Sequence, residues 1–308
     1  MSFETDLLLD RRRLKRRLFF WRGCAVLAVL AAALIALGRF GGLARTHVAR
    51  LEVNGLITQD RELNRTVRRL ATDARVKALL LEVNSPGGSV AGGESLHDAI
   101  AAVAAKKPVV VVMGGLAASA AYMISVPAAR IYALPATLTG SIGVLLESGE
   151  MSGLLAKLGI STDTLVSGPL KDQPSLMHPL SPAGRQVLQG LVADMYEQFV
   201  GMVAADRHMD PARVRELADG RAFTGRQALA LGLVDALGDE ADARDWLATA
   251  RGMPRSLPVE DVETRSLTER ALGASFGPLL QGIMKTFVGQ GVRLDGAAAI
   301  WQPGVTGQ

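Results

Sequence analysis

Residues 108–126, Pro-Val-Val-Val-Val-Met-Gly-Gly-Leu-Ala-Ala-Ser-Ala-Ala-Tyr-Met-Ile-Ser-Val, decide the fold of this chain. The apolar, β-favouring run Val109–Met113 predicts a buried strand that ends at Gly114-Gly115. The alanine-rich run that follows predicts a helix with Ser119 at its start. The first N–H groups of a helix are unpaired and carry partial positive charge, which suits an oxyanion formed when a serine attacks a carbonyl. The simpler interpretation is that Ser119 is a helix N-cap.

A second glycine-rich turn lies one strand and one helix earlier. Lys77–Asn84 predicts a strand, residues 85–89 (Ser-Pro-Gly-Gly-Ser) a turn, and Val90–Ala105 a helix. Such strand-then-helix alternation predicts an α/β fold with a largely parallel sheet, in which both turns lie at the same edge. Glycine lets backbone N–H groups approach a ligand, so we interpret the N–H groups of Gly88 and Ala120 as an oxyanion hole. The alternative for Ser-Pro-Gly-Gly is an ordinary turn.

A serine nucleophile needs a general base, and the candidates are histidines and lysines. His97 falls on the third turn of a predicted helix, away from the expected site, and His178 falls in a loop. Neither is paired with an obvious orienting acid in the sequence, so a triad is not favoured. A lysine acts as a base only when its amine is neutral, which requires an apolar site without a close carboxylate. Lys171 lies in a Ser-Gly-Pro-Leu-Lys loop, but Asp172 follows it and would favour the charged amine unless its side chain points away.

The positive charge of the chain lies at its N-terminus. Residues 1–22 contain seven Lys or Arg and three Asp or Glu, which accounts for the net charge of +4. The remaining residues are neutral overall and show no basic stripe with interleaved aromatic residues, so we expect no nucleic-acid binding. Cys24 is the single cysteine and excludes an intrachain disulfide. The four histidines lack metal-ligand spacing, so we expect no metal site and no cofactor.

The apolar run over residues 18–38 predicts a transmembrane helix. Its 21 residues would span about 32 Å, enough to cross a hydrocarbon core. With residues 1–17 as a basic cytoplasmic arm and residues 39–47 as a linker, the positive-inside rule predicts a single-pass protein of the bacterial inner membrane with its body in the periplasm. A cleaved signal peptide is the alternative, although no clean Ala-x-Ala site ends the apolar run.

Residues 48–251 are predicted to form the main domain. The composition shifts at Gly252, and residues 252–308 are predicted to form a looser tail with an amphipathic helix over residues 267–288. This division leaves one α/β domain between an N-terminal anchor and a C-terminal tail.

The motifs, taken together and in order, resemble signal peptide peptidase A of bacteria in its short, single-domain, membrane-anchored form. The resemblance covers about residues 48–250. It rests on residues 84–90 (Asn-Ser-Pro-Gly-Gly-Ser-Val), 107–125, 139–144 (Thr-Gly-Ser-Ile-Gly-Val), 167–172 (Ser-Gly-Pro-Leu-Lys-Asp), 218–225 and 232–235. That family shares its fold with Clp protease and the crotonases, so the resemblance implies repeated β-β-α units.

The resemblance implies a Ser–Lys dyad peptidase. Carried over by position, Ser119 is the nucleophile, Lys171 the general base, and Ser141 the hydroxyl that hydrogen-bonds and orients the lysine amine. Gly88 and Ala120 carry the oxyanion hole.

The chain departs from the family pattern in two places. Ala120-Ala121 replace the usual Gly-Gly after the serine, and Val166 stands where many members have a lysine. Val144 occupies the position at which Clp-type proteases place a histidine, which argues against a histidine-based triad.

The implied activity is endopeptidase cleavage of signal peptides left in the membrane and of other apolar or unfolded peptides. Substrate would contact Gly87, Leu116 and Met123. Members of the family assemble into rings, in which neighbouring protomers sometimes contribute the serine and the lysine. The alternatives are a crotonase-type acyl-CoA enzyme, a non-catalytic membrane scaffold of the same fold, and the related stomatin-associated membrane protease, which usually carries additional transmembrane segments.

Overall fold

The computed structural model describes residues 20–30, 46–262 and 298–300. The chain divides into two compact units after Thr46. Residues 20–30 form a helix, α1. Among the described residues, no helix combines the length and the apolar character needed to cross a membrane. The transmembrane helix predicted over residues 18–38 extends beyond the described part of the chain, and the amphipathic helix predicted over residues 267–288 lies outside it.

A largely parallel sheet forms the centre of the second unit. The strands found in the described residues are β1 (His47–Asn54), β2 (Val76–Ser85), β3 (Gly87–Ser89), β4 (Val109–Ala118), β5 (Arg130–Ala133), β6 (Leu138–Gly140), β7 (Ala222–Thr224), β8 (Ala236–Leu237), β9 (Val259–Asp261) and β10 (Ala298–Ile300). The main sheet has the order β7-β6-β4-β2-β1-β9, and β5 pairs with both β4 and β8. The β6–β7 pair is antiparallel, whereas the other pairs of this sheet are parallel.

Helices pack around this sheet and connect its strands. They are α2 (Arg61–Leu70), α3 (Val90–Ala104), α4 (Ala120–Met123), α5 (Ser152–Lys157), α6 (Pro182–Asp206), α7 (Pro211–Leu217), α8 (Gly225–Ala230) and α9 (Glu240–Arg251). Leu79–Leu81 of β2 and Val109–Val111 of β4 are fully buried. Strands that are apolar on both faces are typical of the centre of a parallel sheet, so the predicted α/β class is confirmed.

Strand β4 differs from its prediction. It does not end at Gly114-Gly115 but continues to Ala118, because Leu116–Ala118 pairs with Leu138–Gly140 of β6. The helix that begins after Ser119 is a single turn. Strand β6 ends at Gly140, immediately before Ser141.

The sheet continues past residue 251, the predicted end of the domain. Strand β9 pairs in parallel with β1, with Val48 opposite Val259. Leu257 and Val259 pack against a buried cluster that includes Leu80 and Leu247. Farther along the chain, the backbone of β10 pairs antiparallel with β3. Residues beyond 251 therefore contribute to the folded body.

Candidate active site

Ser119 lies at a sharp junction between β4 and α4. The residue is 1% exposed and has φ +59° and ψ −121°, a conformation that L-residues rarely adopt. Such backbone strain costs about 1–3 kcal/mol and clusters at functional sites. Ser119 occupies the N-cap position, but its hydroxyl makes no capping hydrogen bond. The capping interpretation therefore does not account for this serine.

The sheet register brings Ser119 and Ser141 to the same place. Ala118 of β4 pairs with Gly140 of β6, so the residues that follow each strand leave the same edge side by side. The Ser119 N–H donates to the Gly140 carbonyl at 2.8 Å. Ser141 is 6% exposed, with φ +48°, and its N–H donates to the Arg221 carbonyl at 3.0 Å. Two buried hydroxyl-bearing residues thus lie on adjacent turns, both held by backbone hydrogen bonds.

Gly88 lies in β3 on the path between β2 and α3, and α4 packs against this strand. A Cβ atom added to Gly88 would lie 1.8 Å from the carbonyl oxygen of Ile57, so this position requires glycine. Ile57 holds β3 from one side: its N–H donates to the Gly87 carbonyl, and its carbonyl accepts from the Ser89 N–H, each at 2.9 Å. The turn predicted from Ser-Pro-Gly-Gly is thus a short, fixed strand next to the Ser119 helix.

The three predicted substrate contacts differ in accessibility. Gly87 lies in β3, is buried, and adopts φ +105°. Leu116 is half-buried on β4, and its N–H donates to Oδ1 of Asn84 at 3.2 Å. Met123 is 1% exposed and belongs to the hydrophobic core. The predicted contact of Met123 with substrate therefore does not fit its position, because α4 turns this side chain inward.

Two residues that hold the site together, Asn84 and Ile57, were not predicted from the sequence to have a structural role. Asn84 links the end of β2 to β4, and Ile57 pairs with Gly88 from a separate segment. An asparagine at a strand end is a recognisable signal, and Asn84 opens the 84–90 motif. Ile57 contacts β3 through main-chain atoms, so the residue type at position 57 does not reveal this contact.

Lys171 differs from the two buried serines in its exposure to solvent. It is exposed in a turn, where its N–H donates to the Gly168 carbonyl at 3.0 Å. The carboxylate of Asp172 is engaged elsewhere, with Oδ2 2.7 Å from Nε2 of His178. That hydrogen bond and the Pro179 carbonyl raise the pKa of His178. The Asp172 carboxylate therefore pairs with a histidine, and Lys171 itself is exposed to solvent.

His97, the other histidine considered as a base, has both ring nitrogens paired with carboxylates. Its Nε2 lies 2.7 Å from Oδ2 of Asp206 on α6, and its Nδ1 lies 3.2 Å from Oδ1 of Asp98. Burial lowers the pKa of His97, but the hydrogen bonds and charges of Asp206 and Asp98 outweigh burial and leave the pKa raised. With both ring nitrogens paired, His97 links α3 to α6 and is unsuited to accept a proton from Ser119.

An open cleft of about 940 Å³ begins at Ser141. One wall is α6 with Leu188, Val192 and Tyr196, and the other is the segment 143–150. The predicted contacts Gly87, Leu116 and Met123 are not among its lining residues. Apolar side chains of α6 therefore line part of a cleft at Ser141, together with charged residues such as Glu150 and Arg185.

The stretch of sequence that contains Lys171 carries many exposed apolar side chains. Over residues 151–191 they are Met151, Leu154, Leu158, Ile160, Leu165, Val166, Leu170, Leu176, Met177, Val187 and Leu191, with exposures from 39% to 93%. We call this set the 151–191 apolar surface. Exposed apolar side chains in such number are typical of a region that another molecule covers.

Comparisons with known proteins agree with this architecture. A family model described as "Peptidase family S49" matches residues 101–253, and one described as "Clp protease" matches residues 57–139. A relative in Synechocystis, named as a protease, is 39% identical over 232 residues, covering 74% of this chain and 84% of that protein. A relative in Enterococcus faecium, named as signal peptide peptidase SppA, is 37% identical over 235 residues, covering 71% of this chain and 68% of that protein.

Among solved structures, a ClpP1 mutant from Listeria monocytogenes aligns with a TM-score of 0.41 and 19% identity, covering 63% of this chain and 93% of that one. The family assignment rests instead on the sequence relatives, each matched over more than two thirds of its own length. The chain belongs to peptidase family S49.

Proposed function

We propose that this chain is a serine endopeptidase that cleaves apolar peptides with a Ser119–Lys171 dyad. Ser119 is the nucleophile, Lys171 the general base, and Ser141 the hydroxyl that orients the lysine amine. The N–H groups of Gly88 and Ala120 stabilise the oxyanion. Membership in family S49 supports a peptidase over an acyl-CoA enzyme.

The proposal rests on the burial and the backbone conformation of Ser119. The chain holds a buried serine in a strained conformation at a strand–helix junction and leaves its hydroxyl out of helix capping. Strain of this kind is also found where a serine nucleophile sits on a sharp turn between a strand and a helix. Since capping does not explain the residue, reactivity is the function that accounts for the strain.

The proposed reaction follows from these positions. The neutral amine of Lys171 removes the Ser119 proton as Oγ attacks the substrate carbonyl carbon. The carbonyl oxygen becomes an oxyanion beside the N–H groups of Gly88 and Ala120. Protonated Lys171 then gives its proton to the leaving amine, and water releases the acyl-enzyme with Lys171 again acting as the base.

Lys171 needs a different environment from the one it has in the single chain. We propose that a second copy covers the 151–191 apolar surface and brings Lys171 into an apolar, Ser119-containing site. Removal of water would favour the neutral amine by desolvation. The exposed side chains on both sides of Lys171, such as Leu165 and Leu170, support this arrangement because their burial would stabilise the contact.

The proposed substrates are peptides left in the membrane after secretion. The apolar cleft that begins at Ser141 suits such chains. We further propose that residues 18–38 anchor the protein in a bacterial inner membrane with the peptidase domain in the periplasm, because the basic residues 1–17 precede an apolar run.

The test is a fluorogenic assay on an apolar signal-peptide substrate with the full chain in detergent. We expect Ser119→Ala and Lys171→Ala each to lose activity by about 10³-fold or more. Ser141→Ala should lose about 10²-fold, because a misoriented base is costly. Lys157→Ala is the matched control, since Lys157 is also an exposed lysine in the same segment, and it should keep full activity.

Two results would contradict the proposal in different ways. Full activity in Lys171→Ala would remove the dyad but leave a serine peptidase, and the general base would then have to be sought elsewhere. An assembled wild-type protein that hydrolyses no peptide, with Ser119→Ala indistinguishable from it, would favour the non-catalytic scaffold.

A further inference from the structure

Helix α4 is too short to hold Ser119 by itself. It consists of the single turn Ala120–Met123, which closes few hydrogen bonds of its own. Its link to the serine is the Met123 N–H, which donates to the Ser119 carbonyl at 2.9 Å. A residue with a strained φ of +59° keeps that conformation only when the surrounding structure fixes it. The Gly140 carbonyl holds the Ser119 N–H on the β6 side, so the anchor on the α4 side must come from outside this helix.

Tyr122 supplies such an anchor. Its side chain is fully buried, and its hydroxyl donates to the Leu233 carbonyl at 2.9 Å. Burial raises the pKa of this phenol, so the hydroxyl stays protonated and remains a donor. A phenylalanine would fill the same apolar space without bringing a polar atom into it, so packing alone does not require the hydroxyl. The hydroxyl is instead explained by the hydrogen bond that joins α4 to residues 232–235.

The Leu233 carbonyl lies in a segment that a buried ion pair holds. The side chain of Arg207, at the end of α6, is only 9% exposed and donates to the two carboxylate oxygens of Asp235 at 2.6 and 3.1 Å. The same guanidinium donates to the Gly232 carbonyl at 3.1 Å, and the Ile131 N–H of β5 donates to Oδ2 of Asp235 at 2.7 Å. This segment is therefore fixed to both α6 and β5, which gives the acceptor of the tyrosine hydroxyl a defined position.

We propose that Tyr122 is a positioning residue for Ser119: its hydroxyl fastens α4 to the Leu233 carbonyl and so keeps the serine in its strained, reactive conformation. This inference rests on the proposed function, because it names a further residue on which the same site depends. Since its side chain is fully buried, Tyr122 acts only through the backbone of α4. Without this hydrogen bond, Ser119 can relax toward an ordinary N-cap, in which its hydroxyl accepts from the N–H of residue 122 and no longer faces a substrate carbonyl.

Tyr122→Phe and a matched control, Ser125→Ala, test this role. Each change removes one buried hydroxyl hydrogen bond from the same stretch of chain. The fully buried Ser125 hydroxyl donates to the Ala121 carbonyl at 2.7 Å, so its bond stays within that stretch and does not reach residues 232–235. Both variants are made in the full chain in detergent and assayed with the fluorogenic signal-peptide substrate, well below their melting temperatures.

We expect Tyr122→Phe to lower kcat about tenfold and to leave KM within about twofold of wild type, because the serine is misplaced whereas the groups that bind substrate are not. Ser125→Ala should keep the wild-type kcat, even where its Tm falls as much as that of Tyr122→Phe. Amide hydrogen exchange at residues 119–123 should be faster in Tyr122→Phe and unchanged in Ser125→Ala, a readout that does not depend on catalysis.

A wild-type kcat and wild-type exchange in Tyr122→Phe would overturn the inference. Equal losses of kcat in the two variants would also overturn it, because they would reflect a general loosening of the core. If instead wild-type protein hydrolysed the substrate no faster than Ser119→Ala, the proposed function would fail, and the exchange measurement would still decide whether Tyr122 anchors Ser119.

Discussion

The two halves of the proposed dyad come from regions of opposite character. Ser119 and Ser141 follow paired strands, are nearly inaccessible to solvent, and have backbones held in positive φ. Lys171 lies in an exposed turn between α5 and α6, in the stretch of sequence that carries the 151–191 apolar surface. The buried half is preorganised by the fold of one chain, whereas the exposed half depends on what covers it. Activity should therefore respond to packing in the first region and to association in the second.

The largest expected effect is in the buried half, at Gly88. Gly88→Ala places a Cβ atom 1.8 Å from the Ile57 carbonyl oxygen, so β3 must move. We expect a loss of about 3 kcal/mol in unfolding free energy, seen as a fall in Tm of about 10 °C. Displacement of an oxyanion donor should also lower kcat by about 10²-fold.

Gly115→Ala is the matched control for this change. A Cβ atom there lies 3.9 Å from Oδ1 of Asn84, an ordinary contact on the exposed part of β4. Calorimetry should show an unchanged Tm for Gly115→Ala, and the peptide assay should show an unchanged kcat. An equal loss in the two variants would mean that the constraint at Gly88 is not specific to β3.

An intermediate effect is expected in the exposed half, at Leu158. Leu158→Glu puts a charge into the 151–191 apolar surface, at a side chain that is 65% exposed. If a second copy covers this surface, sedimentation velocity should show dissociation, and activity should fall about tenfold or more. The thermal stability of the monomer should not change, because the side chain contacts little within its own chain.

Leu229→Glu, on α8, makes the same substitution at a side chain that is 38% exposed elsewhere. It should leave both the sedimentation coefficient and the activity at wild-type values. Normal assembly of Leu158→Glu would remove association as the explanation for the exposed lysine.

The smallest expected effect is on the pH dependence of thermal stability. It should differ between the two histidine–carboxylate pairs of the molecule. In the buried half, the Asp206 and Asp98 carboxylates hold the pKa of His97 above its usual value despite burial. The stabilisation is fully present below the unfolded pKa of about 6.5 and is lost as pH rises through the higher folded pKa. We expect His97→Gln to remove about 1 kcal/mol of this pH-dependent stability, seen as a smaller fall in Tm between pH 6 and pH 8.5.

His178 pairs with Asp172 in the exposed half at the same 2.7 Å distance. Its pKa is also raised, first by the Asp172 hydrogen bond, but solvent screens this pair. His178→Gln should therefore keep the wild-type dependence of Tm on pH. If the dependence of Tm on pH changed as much in His178→Gln as in His97→Gln, burial would not explain the difference expected between the two pairs.

Local sequence patterns predicted the elements of the buried half well. Alternation of apolar strands with helices was sufficient to infer the parallel sheet, and the alanine run after Ser119 located the strand–helix junction. The continuation of β4 through Gly114-Gly115 was missed because it depends on pairing with β6, a tertiary contact. The inward position of Met123 was missed for a similar reason, since a single helical turn gives no periodicity from which to infer a buried face.

Less of the exposed half could be predicted from residue patterns. Lys171 was predicted to lie in a loop, and it does lie in an exposed turn. The pairing of β10 with β3 was also missed, because three residues such as Ala298–Ile300 are too few to show strand periodicity.

Strand β9 has a consequence for how copies of this protein can associate. It ends one side of the sheet with three residues, two of which, Glu260 and Asp261, are exposed and acidic, and Asp261 is held by Arg50 at 2.6 Å. A short, charged edge strand discourages the addition of strands from another molecule. Growth of a continuous intermolecular sheet is therefore disfavoured at this edge, which protects the chain from edge-to-edge aggregation there.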